Sequence, residues 1–168
     1  MMNKRRLFGT GTALFCGLLV LTGCSFFDND EPAYNYWEPV LSPDGTALVY
    51  ESTVESGLEL FLLDLGTDME QQLTDNDYPD WSPDWSPDGT QLAFASSRDE
   101  NVDIYVLDVD TLNVLRLTTH VSDDVNPSWG IDGDIYFNSN RGDSWEAYAI
   151  DPVTFNLRKL SSRSTSTP

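Results

Sequence analysis

Ser42-Pro43-Asp44-Gly45 recurs forty-four residues later as Ser86-Pro87-Asp88-Gly89. It recurs again after the same interval, weakened, as Gly130-Ile131-Asp132-Gly133. The register holds on both sides of the motif. Pro39, Pro83 and Pro127 align upstream, and Leu41, Trp85 and Trp129 fill one apolar site before it. Downstream, Leu48-Val49-Tyr50 matches Leu92-Ala93-Phe94 and, one residue shorter, Ile135-Tyr136-Phe137. Leu60 to Asp64, Ile104 to Asp108 and Ala147 to Asp151 align next, and Leu73-Thr74, Leu117-Thr118 and Leu160-Ser161 close the units. A fixed period of this length restricts the chain to stacked supersecondary units that share one core.

Each unit predicts four short strands. Asp-Gly makes a tight turn between the first and second, because Gly tolerates positive φ and Asp bonds its own backbone. The second and third strands are rich in aromatic and β-branched residues. No segment carries a helical period. Four strands in some forty to forty-five residues is the signature of one propeller blade. The fold class is therefore all-β, with three four-stranded propeller-type blades of about 44 residues, a partial propeller. Their boundaries are 37–74, 79–118 and 125–161. Trp81-Ser82-Pro83-Asp84 stands directly before Trp85-Ser86-Pro87-Asp88; Trp81 is expected to pack in the loop entering the second blade.

The second unit carries a family resemblance. Trp85-Ser86-Pro87-Asp88-Gly89-Thr90-Gln91-Leu92-Ala93-Phe94, then Ser96, Arg98 and Asp103-Ile104-Tyr105-Val106-Leu107-Asp108, resembles the TolB-type, WD-repeat-like propeller unit. Similar units build the propellers of prolyl-oligopeptidase-like and tricorn-like proteases. The likeness covers residues 37 to 161. The first unit lacks the strand-one Trp and the Ser-x-Arg, and the third has lost Ser-Pro before its Asp-Gly. Members of the family usually close a ring of six or more blades, which leaves three readings for three. A second copy closes a six-bladed ring as a homodimer, another protein supplies the missing blades, or the stack stays open with polar ends.

The first 23 residues read as a lipoprotein signal peptide. Lys4, Arg5 and Arg6 precede the apolar run Ala13 to Leu21, too short to span a bilayer. Leu21-Thr22-Gly23-Cys24 resembles a lipobox, which implies cleavage before Cys24 and lipidation on it. Arg5-Arg6-Leu7-Phe8 also resembles part of a twin-arginine export signal. By the same family logic, Ser25 points to the outer membrane of the cell envelope rather than inner-membrane retention. Residues 24–36 then form a lipid-anchored linker rich in aromatics (Phe26, Phe27, Tyr34, Tyr36), and 162–168 a disordered tail. With Cys16 in the signal and Cys24 lipidated, no thiol is left for a disulfide or thiolate metal site.

The formal net charge is −19, and −22 once the three basic residues of the signal are removed. Nucleic acid and anionic lipid are excluded as partners, since both need a positive face. Salt adaptation, divalent-cation binding and attraction to a basic partner each account for such acidity. His120 is the sole histidine and falls in a loop, which does not assemble a zinc or copper site. Asp75-Asn76-Asp77 opens like a calcium loop, but Asp80 stands where its Gly belongs and Ser86 where its closing Glu belongs. Asp75, Asp77 and Asp80 are the metal candidates, calcium the one ion considered, and no cofactor is called. Arg98 with Asp103, and Arg141 with Glu146, are expected to brace the hairpin between strands two and three. Acid pairs such as Asp99-Glu100 and Asp123-Asp124 follow from composition, and no nucleophile motif accompanies them. The functional expectation is a non-enzymatic, lipid-anchored envelope module that binds a partner protein. The alternatives are an envelope enzyme acting on glycans or peptides, and a half-propeller completing a partner's ring.

Overall fold

The computed structural model describes residues 37–55 and 57–160. The signal, Cys24, the linker and the tail lie outside them. Twelve strands fall into three antiparallel meanders of four. Blade 1 is β1 (Trp37–Leu41), β2 (Ala47–Val54), β3 (Gly57–Asp64) and β4 (Met69–Gln72). Blade 2 is β5 (Asp80–Trp85), β6 (Gln91–Asp99), β7 (Asn101–Asp108) and β8 (Val114–Arg116). Blade 3 is β9 (Asp124–Trp129), β10 (Ile135–Ser139), β11 (Glu146–Ile150) and β12 (Leu157–Lys159). Trp81 therefore lies inside β5 and not in the loop before it, and its indole packs on the core between blades 2 and 3.

The repeat motif makes the turns at one end of every blade. Gly45, Gly89 and Gly133 have φ of +75°, +72° and +91°, the region that favours glycine. Asp44 Oδ1 accepts from Ser42 Oγ at 2.7 Å and from Thr46 N at 3.0 Å. Asp88 repeats this with Ser86 Oγ at 2.7 Å and Thr90 N at 3.1 Å. Those bonds, the serine hydroxyl foremost, hold both carboxyls below the ordinary Asp range. In blade 3, Gly130 replaces the serine for a steric reason. A Cβ there would sit 2.6 Å from the Tyr136 ring, and Tyr136 Oη donates to Asp132 at 2.7 Å in the hydroxyl's stead. The turns from β3 to β4, β7 to β8 and β11 to β12 also repeat. Asp68, Leu112 and Phe155 are left-handed in them, at φ 55°, 57° and 58°, and their N–H groups donate to Asp64, Asp108 and Asp151.

Alternation along the second strand of each blade builds the core. Leu92 and Phe94 face blade 1, where they meet Val49, Leu60, Leu73, Trp85, Tyr105 and Leu107. Ala93 and Ala95 face blade 3, with Ile104, Val106, Leu117, Ile135, Phe137, Tyr148 and Ile150. Blade 2 is thus buried on both faces, which is why its strands read as near-continuous apolar runs. Burying one such Leu or Phe contributes about 1.5–3 kcal/mol. The two repeat tryptophans diverge. Trp85 is buried and donates its indole N–H to Val40 O across the first seam at 3.1 Å. Trp129 turns back onto its own turn, donating to Gly133 O at 3.2 Å. Leu41, their counterpart in blade 1, is exposed.

The face of blade 3 turned from blade 2 is of another kind. Tyr136, Asn138 and Ala147 stand there, where blade 2 offers Ala93, Ala95 and Ile104 to its neighbour. Arg158 lies over the Tyr136 ring at 5.9 Å and pairs with Asp134.

Candidate binding surface

The end of the blades opposite the repeat turns carries the β2–β3 type hairpin loops and the links between blades. Here the second strand of blades 2 and 3 finishes in Ser-x-Arg. Arg98 Nη2 bonds both oxygens of Asp80 at 2.7 and 2.9 Å, and its Nε donates to Ser96 Oγ at 2.9 Å. Arg141 does the same with Asp124, at 2.7 and 2.9 Å, and with Ser139 Oγ at 2.8 Å. Each guanidinium also lies over two rings, Arg98 at 4.7 Å from Tyr105 and Arg141 at 4.7 Å from Tyr148. Both aspartates are fully buried. Each set is a latch from the start of the innermost strand to the end of the second. The expected Arg98–Asp103 and Arg141–Glu146 pairs are therefore corrected. Asp103 instead pairs with Arg116 at 2.5 Å and accepts from Thr118 Oγ1 at 3.0 Å, while Glu146 pairs with Lys159 at 2.6 Å. A hairpin brace exists, but it runs to the fourth strand. The sequence did hold the signal: Asp80 and Asp124 are one repeat apart, like the serines and arginines they join.

Blade 1 has Val54 in place of the arginine, and its buried acids are tied across the first seam and the link that follows. Glu51 Oε1 accepts from Ser82 N at 2.6 Å, and Glu59 Oε1 from Asn76 N at 3.0 Å. Ser82 is left-handed at φ 51°, as are Glu38 at 46° and Asn126 at 53°, each just before a proline. One bulge per innermost strand results, a device that re-aims backbone groups. Burial is the main influence on Glu51, Glu59 and Asp103 and pushes their carboxyls up; the bonds just named pull the other way.

Asp75, Asp77 and Asp80 are not brought together. Asp75 and Asp77 are exposed, while Asp80 is spent on Arg98 and on Asn76 Nδ2 at 2.8 Å. Among the described residues no three His, Asp or Glu side chains form a metal-holding group. His120 is exposed, and its Nδ1 accepts from Ser122 N at 3.1 Å. The motif residues Asp44, Gly45, Asp88, Gly89, Asp132 and Gly133 all sit at the turn end, as turn formers. At the loop end, Tyr78, Val121 and Trp145 stand exposed on the connecting segments.

This architecture matches known proteins. TolB from Acinetobacter baumannii superposes with a TM-score of 0.69 at 26% identity, over 77% of this chain and 33% of that one. A puromycin-hydrolyzing peptidase from Mycobacterium tuberculosis gives 0.66 at 15% identity, over 79% of this chain and 22% of its own. An oligogalacturonate lyase from Vibrio parahaemolyticus gives 0.60 at 18%, over 75% and 40%. At such identities the likeness to the peptidase and the lyase is one of fold alone. The chain spans a third to a half of the TolB structures it matches. No curated protein matches it. Residues 30–167 match the family described as the TolB beta propeller domain, and the chain belongs to that family.

Proposed function

We propose that this protein is a non-catalytic module of the cell envelope, tethered by lipid on Cys24, that presents its loop end to a partner protein. One observation carries the reading. The loop end exposes Tyr78, Val121 and Trp145, by 49, 88 and 54%, beside buried polar groups paired within the blades. Large apolar side chains on a braced base are what a protein interface uses as anchors. A catalytic reading needs convergent carboxylates with oxygens to spare. Asp80, Asp103 and Asp124 give theirs to arginines. Photo-crosslinking in the native cell tests the reading. A crosslinker at Val121 or Trp145 is expected to yield one discrete adduct, and one at Ile131 or Val153 on the turn end none. Adducts from the turn end alone would refute it. The tether is tested separately: Cys24→Ser is expected to move the protein from the membrane to the soluble fraction.

A further inference from the structure

Every blade carries one aromatic pair on its second and third strands. The pairs are Tyr50–Phe61, Phe94–Tyr105 and Phe137–Tyr148, with ring centroids 5.9, 5.7 and 6.0 Å apart. Blade 1 packs over the second pair and blade 2 over the third. Arg98 and Arg141 add a guanidinium above those two, whereas blade 1 has Val54 at that place. The strand register puts Tyr50 and Phe61 on the face of blade 1 turned from blade 2.

Among the described residues no blade precedes the first, and yet Tyr50 is 3% exposed and Phe61 8%. On the outer face of blade 3, by contrast, Tyr136 is half-buried and Asn138 and Ala147 are exposed. The sheet of blade 1 does not roof its own pair. Side chains stand roughly perpendicular to their sheet, and the β4 neighbours are exposed: Glu70, which accepts from the Tyr50 hydroxyl, and Gln72 opposite Phe61.

The cover is uneven. Leu92 and Leu107, next to their pair on the turn-end side, are fully buried against blade 1. Their counterparts Leu48 and Leu63 are only half-buried. A whole blade would bury all four residues of the face, while a short segment arriving from the loop end would bury the pair and stop before the leucines. β1 begins at the loop end, where Trp37 pairs with Glu51, and Ala33-Tyr34-Asn35-Tyr36 immediately precede it. Four extended residues reach about 13–14 Å, and tyrosines two apart share one side of an extended chain. The tail 162–168 has no aromatic residue and leaves from blade 3. A second copy would bring another strongly negative charge to the same face.

We propose that Tyr34 and Tyr36 lie over the Tyr50–Phe61 pair and cap the stack in place of a preceding blade. Aromatic rings on aromatic rings give such a cap both apolar area and a preferred geometry. The first blade then needs no neighbour from another chain. The inference goes beyond the loop-end binding role and does not depend on it.

Nuclear Overhauser spectra of the full chain in detergent, with tyrosine and phenylalanine rings labelled, test it. Cross-peaks are expected from the Tyr34 or Tyr36 ring to the rings of Tyr50 and Phe61. A half-labelled mixture separates contacts within one chain from contacts between copies. Tyr34→Ser with Tyr36→Ser is expected to speed hydrogen exchange in β2 and β3 about tenfold or more and to leave β6 and β7 unchanged. Tyr34→Phe with Tyr36→Phe keeps the rings and should keep the parent rates. Absence of cross-peaks to both tyrosines would overturn the inference, and cross-peaks seen only between copies would do so in favour of a second chain. Exchange that is unchanged in the serine variant, or faster by the same factor in all three blades, would overturn it too. Should the serine variant fail to fold, the cross-peaks of the unaltered chain decide alone.

Discussion

Removing Arg98 exposes how the blades are held. Asp80 is fully buried, and Arg98 Nη2 meets both its oxygens within 2.9 Å, with the arginine side chain only 22% exposed. Arg98→Met keeps the apolar stem but leaves a carboxylate in the interior with Asn76 Nδ2 as its one remaining side-chain donor among the described residues. Stripping a buried charge of its partner costs about 3–5 kcal/mol. Loss of the cation above Phe94 and Tyr105 adds about 0.5–2 kcal/mol. Asp80→Asn with Arg98→Met removes both charges together and is expected to cost only about 1–2 kcal/mol, because the desolvation penalty goes as well. A double-mutant cycle by urea unfolding at neutral pH should therefore show coupling of about 2–4 kcal/mol between the two positions. A loss below about 1 kcal/mol for Arg98→Met, or strictly additive effects, would refute the latch.

Gly130→Ser restores the motif of the other blades but drives a Cβ into Tyr136; it is expected to destabilise by about 1–3 kcal/mol, and a rise in melting temperature would contradict the packing. Trp85→Phe removes the indole bond to Val40 O and should cost about 1–2 kcal/mol by denaturant unfolding. The carboxyl of Glu59 is raised above 4.5 in the fold, so its part in stability falls as pH rises from 4.5 through the folded value. Glu59→Gln should flatten that fall. Asp88 is lowered from 3.8 and has the opposite sign, its stability present above 3.8 and lost as pH falls through the folded value. Asp88→Asn should be the less stable protein near neutrality and converge with the parent in acid, as thermal unfolding across pH will show. Light scattering on residues 25–168 at low and high salt is expected to give a monomer, since blade 3 ends in a polar face. A dimer would restore closure of a six-bladed ring by a second copy.

The period was legible because every blade repeats the same turn chemistry. Asp-Gly at a fixed interval announces positive φ, and the runs around Leu92 and Ile104 announce strands buried on two faces. Partner choice was less legible. Arg98 and Asp103 are near in sequence, yet strand β6 carries the arginine to the start of β5, seventeen residues behind Ser97, where Asp80 waits. Nor does a residue before proline advertise a left-handed backbone, which proline ordinarily disfavours. The bulge at Ser82 became visible only in the strand register, and with it the N–H that meets Glu51. Residue types gave no sign that Trp85 and Trp129, matched by the repeat, serve different seams.

The uneven distribution of the Asp-Ser-Arg latch sets an order of opening. Blades 2 and 3 each fasten their own innermost strand, whereas blade 1 relies on Ser82 of blade 2 and on Asn76 in the link leading to it. In a stack of nearest-neighbour units, stability is a sum of what each unit holds and what each seam adds. Blade 1 then behaves as the dependent unit. Its amides should exchange with solvent through a partial opening that leaves the other two blades closed, so the chain frays from its N-terminal blade inward.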